Sequence, residues 1–362
     1  MNALTPHYDD IKPPVINVGV LGWIRKNLFN GVFNSILTLI TLYVLVRIIP
    51  PFVKWAFIHS VWFADGDACK EATGACWPVV TQNIRFIMFG FYPPAQQWRP
   101  IVAMLMLVAL VFYSQDRERW KKSLGYAWLA AIVMMAVLMR GGILGLESVE
   151  STQWGGLPLT LLLSVFGLAA AYPLGVILAL GRRSKMPVLK TLSVIYIEMI
   201  RGVPLISLLF MSSVVFPLFL PEGVTVNKIL RALVAIILFT AAYVAEVVRG
   251  GLQAIPKGQY EAAQSIGLNY FLTMRLIILP QALKIVIPPS VSVLISAFKD
   301  TSLVVIIALF DLLRTTQTVL NNPEWMGASS EAYIFVALVY FICCFFMSNY
   351  SRRLERELDT GL

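Results

Sequence analysis

The chain has 362 residues, 58% of them hydrophobic and only 14% charged, with 29 Lys and Arg against 20 Asp and Glu and a mean hydropathy of +0.75. A soluble domain is roughly 45–50% apolar and about 25% charged, so these figures exclude an ordinary soluble fold, a disordered chain and a collagen-like one. They point to an all-α polytopic membrane protein, in which the net charge of +9 reads as cations gathered on one membrane face rather than as a nucleic-acid footprint.

Residues 1–28 hold Asp9, Asp10, Lys12, Arg25 and Lys26 and no apolar core, so they are expected to form a cytoplasmic tail and not a signal peptide. Apolar runs follow at about 29–49, 98–114, 124–139, 157–180, 202–220, 229–248, 285–310 and 332–350. A helix crosses about 30 Å of hydrocarbon with roughly 20 apolar residues, so about eight transmembrane helices are expected. With the N-terminus inside, Lys and Arg favour the inner segments by two to one, which sets both termini in the cytoplasm. Arg117, Arg119, Lys121 and Lys122 serve this topology.

The loop after the first run is long and aromatic, with Trp55, Trp62, Trp77 and Trp98, and is expected to lie partly in the headgroup layer of the outer face. It holds Cys69 and Cys76, which in an oxidising periplasm close a small disulfide loop; otherwise they are two free thiols. No Gly-Lys-Ser or Gly-Lys-Thr and no metal-ligand cluster occurs, so neither a phosphate-cradling loop nor covalent chemistry is expected of this chain, and it binds no cofactor of its own.

Residues 249–284 form a long polar segment between two strong runs, and loops of that length are usually functional. Gln259–Ile266 is a run of good helix formers that Gly267 ends in a left-handed turn. Helical spacing sets Tyr260, Ala263 and Ile266 or Gly267 on one face and Glu261 and Gln264 on another. Such a helix suits a groove on a cytoplasmic partner. Pro280 and Pro288-Pro289 mark a kinked entry to the next span.

Glu261-Ala262-Ala263, three residues, Gly267, nine residues, then Ile277-Ile278-Leu279-Pro280 resembles the EAA loop of ABC-importer permeases. Tyr196–Leu205 and Lys299-Asp300-Thr301-Ser302-Leu303 resemble the polar amino-acid branch, the histidine/glutamine permease type. The architecture of the first 155 residues is closest to the M-type permease subunit of general L-amino-acid importers. The resemblance divides the chain into a tail (1–28), an extension with three spans (29–155), a five-span permease core (156–353) that contains the coupling loop (249–284), and a second tail (354–362). It implies a bacterial inner-membrane protein that moves L-amino acids by ATP-driven alternating access. The implied partners are a second permease subunit, two cytoplasmic ATPase subunits that hold ATP and Mg, and a periplasmic amino-acid-binding protein, all set in a lipid bilayer. Glu261, Ala262, Ala263, Gly267 and Pro280 would couple to the ATPase.

Lys299 and Asp300 fall near the middle of the run 285–310, where a charge costs about 2.5–3.5 kcal/mol on insertion scales. They read equally as part of a substrate pathway for a zwitterion and as interhelical pairs that fix packing. Glu198 and Arg201 are expected to pair along one helix, as are Glu246 and Arg249. The alternative function is an ion-gradient-driven secondary amino-acid transporter, which has no need of an ATPase-docking loop.

Overall fold

The computed structural model describes residues 19–63, 66–116, 119–143 and 145–358. Most of the expected N-terminal tail, Arg117 and residues 359–362 lie outside the described residues. The chain divides into two units, residues 1–77 and 78–362.

In the first unit, α1 (Gly19–Leu28) is joined by a short turn to α2 (Val32–Val53), and the Thr38 hydroxyl donates to the Leu28 carbonyl at 2.8 Å. Pro50 and Pro51 sit inside α2, each removing an N–H from the ladder. The helix continues past them through a wider π turn, Lys54–Ile58, so the span is Val32–Ile58 and not 29–49. Beyond it the chain folds back on itself. The Val61 N–H donates to the Ala75 carbonyl (2.9 Å), the Trp77 N–H to the Val61 carbonyl (3.0 Å) and the Trp77 indole to the Ala56 carbonyl (2.8 Å). Trp62 stacks on Trp77 with ring centres 5.4 Å apart. Helix α3 (Gly66–Glu71) leads into this knot, and Cys69 and Cys76 are joined by a disulfide whose Cα atoms are 5.4 Å apart.

The second unit begins with the short helices α4 (Pro78–Thr81) and α5 (Ile84–Phe89), then α6 (Trp98–Tyr113) and α7 (Lys122–Arg140), which pack on each other. Next come α8 (Gly156–Arg182), α9 (Pro187–Arg201), α10 (Leu205–Phe210) and α11 (Lys228–Ala254). Helices α12 (Lys257–Ser265), α13 (Tyr270–Thr273), α14 (Leu279–Asp300), α15 (Leu312–Leu320) and α16 (Ser329–Leu358) complete it. Among the described residues, seven helical segments are long and apolar enough to cross a membrane, or eight if one bent pair is a single span.

That bent pair corrects the fifth expected run. Residues 202–220 do not form one helix: α10 passes into a π turn (Met211–Val215) and a 3₁₀ turn (Phe216–Phe219). At 1.5 Å per residue such a stretch falls short of about 30 Å. It is long enough to cross a bilayer only together with α9, from which it is bent by 102°. The bend lies at Gly202-Val203-Pro204, because proline disfavours helical backbone in the residue before it.

The pairing of α8 with α11 is the spine of this unit. A Cβ on Gly175 would lie 2.6 Å from the Val244 side chain and 2.9 Å from the Ala241 carbonyl. Lipid is as apolar as a helix surface, so close van der Waals approach at small residues, rather than hydrophobic burial, holds such helices together. Two apolar cores flank the spine. One gathers Leu107, Met135, Leu159, Leu163, Leu209 and Ile236; the other gathers Ile197, Val244, Val248, Leu252, Ile278 and Val286.

Asp311, fully buried, ties the far end of the spine together. Residues 310–311 pair with Gly155 and Gly156. The Asp311 carboxylate accepts from the N–H groups of Leu313 (3.2 Å) and Arg314 (3.0 Å) and so caps α15, while the Leu312 N–H donates to the Thr160 hydroxyl at 3.2 Å. Gly156 has φ +64°, and a Cβ there would lie 2.1 Å from the Met88 carbonyl oxygen, so only glycine fits. Burial pushes the Asp311 carboxyl up to about 6, against the pull of the two capping N–H groups.

Candidate functional site

The polar segment between α11 and α14 is built from local signals. Ile255 turns extended because Pro256 follows it, which ends α11. Pro256 then leads into α12, and the helix closes at Gly267, whose φ of +81° is left-handed. The Leu268 N–H donates to the Ala263 carbonyl (3.1 Å) and the Gly267 N–H to the Gln264 carbonyl (2.9 Å), a glycine-ended closure. The Asn269 side chain accepts from the Leu272 N–H at 2.9 Å and starts α13. A π turn, Met274–Ile278, joins α13 to α14, and Pro280 stands in the first turn of α14, where its missing N–H costs least.

Helix α12 is held on one side and open on the other. Ala263 is fully buried, and the half-buried Tyr260 packs on the core that holds Val248 and Ile278. The Gln281 amide donates to the Gln259 side chain at 3.1 Å, joining α14 to α12. The Arg183 guanidinium stands 5.9 Å from the Tyr260 ring centre, which joins the end of α8 to the same helix. Glu261, Ala262, Gln264 and Gly267 are exposed. Ile266, grouped with Tyr260 and Ala263 by spacing, instead stands out in the open at 72% exposure. The reason is that α12 ends at Ser265, so Ile266 has left the helical phase. Tyr270 and Phe271 (66% exposed) follow beside it. The outer face is therefore an apolar tip next to one carboxylate, and apart from Gly267 and its two chain neighbours no described heavy atom lies within 4 Å of where a Gly267 Cβ would be. Tyr270 and Phe271 carry no expectation from the sequence; an aromatic pair after a glycine-closed helix is the available signal.

Behind this face the ends of α8, α9 and α11 are joined by charge. Glu246 of α11 accepts from Arg249 on the same helix, with Nε at 2.9 Å and a second, closer contact through the terminal nitrogen. It also meets Arg182 of α8 at 3.4 Å and Arg201 of α9 at 3.6 Å. Arg182 reaches on to Glu198 of α9 at 2.8 Å. The expected Glu246–Arg249 pair is present. Glu198 and Arg201 do not pair with each other among the described residues: each engages a neighbouring helix, whose rigid end presents a better-placed partner. The Tyr196 hydroxyl adds a bond to the Leu238 carbonyl at 2.7 Å. Arg182, the second hub, was legible only as loop charge.

Lys299 and Asp300 lie elsewhere. Because α14 runs from Leu279 and ends at Asp300, they stand at its C-terminal end, where it tightens into the 3₁₀ turn Thr301–Ile307, and toward the end rather than the middle of the helical span Tyr270–Ile307. Lys299 is exposed, Asp300 half-buried, and neither makes an ion pair with any of the described residues. About 30 Å of helix separates them from Pro280, so the structure does not bring them to the α12 loop.

Residues 171–360 match the family described as the inner membrane component of binding-protein-dependent transport systems. The chain is 49% identical over 342 residues to the inner membrane amino-acid ABC transporter permease protein YhdY of Escherichia coli (strain K12), covering 94% of this chain and 93% of that one. It is 40% identical over 413 residues to BztC of Rhodobacter capsulatus, the permease protein of a glutamate/glutamine/aspartate/asparagine transport system, covering 95% of each. Among solved structures, the crystal structure of an amino-acid ABC transporter with histidines aligns with a TM-score of 0.50 at 30% identity, over 56% of this chain and 92% of that one.

Proposed function

The chain belongs to the inner membrane components of binding-protein-dependent transport systems, and from that membership we propose how its parts divide the work of an amino-acid ABC importer. It is the multi-pass permease subunit in the inner membrane and not the ATPase; a system of this kind supplies an ATPase and a binding protein as partners. The gradient-driven alternative falls away with this membership. Two ATPase subunits and a second permease complete the transporter in our reading, with both termini in the cytoplasm. The Cys69–Cys76 disulfide then lies on the oxidising face. The substrates are acidic amino acids and their amides, the class named for the Rhodobacter capsulatus relative.

Helix α12 is the coupling helix. The observation that carries this role is its two-sidedness: Ala263 and Tyr260 anchor it to the core, while Glu261, Ala262, Ile266 and Gly267 remain uncovered. An ATPase subunit seated on that face moves α12, and the Gln259–Gln281 contact with the turn at Pro280 passes the movement to α14. Helix α14 carries Lys299 and Asp300 at its other end, where the two charges line the path of a zwitterionic substrate. The ion cluster around Glu246 keeps α8, α9 and α11 together as the unit against which α14 shifts, so ATP binding selects between two packed arrangements.

The test is purification of the chain from membranes in mild detergent, with mass spectrometry of what accompanies it, for the wild type and for Gly267→Asp combined with Glu261→Arg. The wild type is expected to bring down a nucleotide-binding subunit and a shorter permease and to support ATP-dependent uptake. The double variant is expected to reach the membrane, keep the second permease and lose the ATPase. Normal uptake by that variant would sink the coupling role.

A further inference from the structure

Where α6 and α16 end, they leave a cleft of about 510 Å³ that plays no part in the reading above. Phe112 and Phe346, both exposed, line it with ring centres 6.4 Å apart, edge to face. Gln115, Tyr350, Arg353 and Arg356 form its rim. Phe346, Tyr350 and Arg353 follow at i, i+4 and i+7, so one stripe of α16 passes from aromatic to cationic along about 10 Å of helix. The wall is tied down: the Tyr350 hydroxyl and the Trp120 indole both donate to the Ser114 carbonyl, at 3.3 and 2.9 Å, and Arg353 donates to the Gln115 side chain at 3.5 Å.

Two features fix the chemistry. The cleft lies at the ends of the spans Pro94–Tyr113 and Ser329–Arg356, the depth at which hydrocarbon gives way to headgroups. Among the described residues its lining includes two guanidinium groups and no carboxylate. Guanidinium forks match phosphate oxygens in pairs, and basic pockets between spans hold anionic lipid headgroups. Cations that serve only to set topology require neither a concave wall nor an aromatic lining. We propose that this cleft is a binding site for one anionic phospholipid, its phosphodiester on Arg353 and Arg356 and an acyl chain against Phe112 and Phe346. Such a lipid would join the extension helix α6 to the last span of the permease core.

The experiment uses the full transporter in vesicles of phosphatidylcholine doped with a photoactivatable lipid, either phosphatidylglycerol or phosphatidylcholine, both carrying the reactive group on the acyl chain. Cross-linked peptides are mapped by mass spectrometry. The phosphatidylglycerol probe is expected to label the peptides containing Phe112 and Phe346 about fivefold more than the phosphatidylcholine probe. Arg353→Gln with Arg356→Gln is expected to remove that difference, and excess inorganic phosphate to leave it unchanged. Equal labelling of the wild type by the two probes would overturn the site, a comparison that needs no variant to fold. Displacement by inorganic phosphate would make it a free-anion site, and absence of label from the cleft would mean that protein covers it; either result also overturns the proposal.

Discussion

Gly267 allows the turn and the docking face to be separated by substitution. Its φ of +81° is a conformation that an L-residue adopts at a cost of about 1 kcal/mol, so Gly267→Ala loses roughly that much from the closure of α12. Asparagine tolerates the left-handed region far better, and Gly267→Asn is expected to lose less than half as much. The Cβ that either variant adds meets nothing beyond its chain neighbours, because the space around that position is open to 4 Å. A loss near 1 kcal/mol is small beside a typical stability of about 5–15 kcal/mol, so both variants are expected at wild-type levels in the membrane. Seated against an ATPase, however, both add atoms to a face that has none there. We expect ATP-dependent uptake in vesicles to fall at least about tenfold in both, a docking loss near 1.4 kcal/mol or more, with less ATPase recovered on purification. The decisive comparison is between the two variants. If Gly267→Asn transports normally while Gly267→Ala fails, the glycine serves only the turn, and the reasoning from the open face is wrong.

Three further outcomes follow from the packing. Glu246→Ala leaves Arg182, Arg201 and Arg249 facing one another; the carboxylate is 23% exposed, so a loss of about 2 kcal/mol is expected, between the 3–5 of a broken buried pair and the under 1 of a surface pair. Thermal unfolding in detergent checks it against Glu198→Ala, which is more exposed and among the described residues forms its ion pair with Arg182, and so is expected to lose about 1 kcal/mol or less. Gly175→Ala forces α8 and α11 apart at Val244 and the Ala241 carbonyl and is expected to lose about 2 kcal/mol, whereas Gly125→Ala, with open space around it, is expected to be neutral or stabilising in the same assay. Asp311, raised by burial from the ordinary carboxylate value to about 6, binds its proton more tightly folded than unfolded. Stability therefore rises as pH falls through about 6 and levels off near 4, by up to about 3 kcal/mol. Asp311→Asn keeps a capping side chain and is expected to flatten this slope; an unchanged slope between about pH 4 and 7 would show that Asp311 does not set it.

The features legible in the sequence were those encoded within a few turns of chain. Apolar runs gave the spans because a bilayer admits little besides continuous helix, and the coupling loop could be read because Pro256, Gly267 and Pro280 each act on their own neighbours. The same local reasoning erred where phase or boundary mattered. It carried α12 one residue too far and so put Ile266 on the face of Tyr260 and Ala263, and it ran the span over 285–310 and so set Lys299 and Asp300 near its middle, whereas α14 is Leu279–Asp300.

By itself the sequence determined that this is a polytopic helical membrane protein with a partner-facing loop between α11 and α14, since composition, hydropathy and turn chemistry are properties of short stretches. The tertiary structure alone decided that the run after α9 bends by 102°, that Glu246 gathers arginines from three helices, and that Asp311 is buried at the join with Gly155 and Gly156. Each of these depends on segments distant in the chain: Arg182 and Glu246 stand 64 residues apart and meet only because Gly175 lets α8 close on α11. Such contacts are fixed by which helix faces touch, and that choice is made by packing in three dimensions.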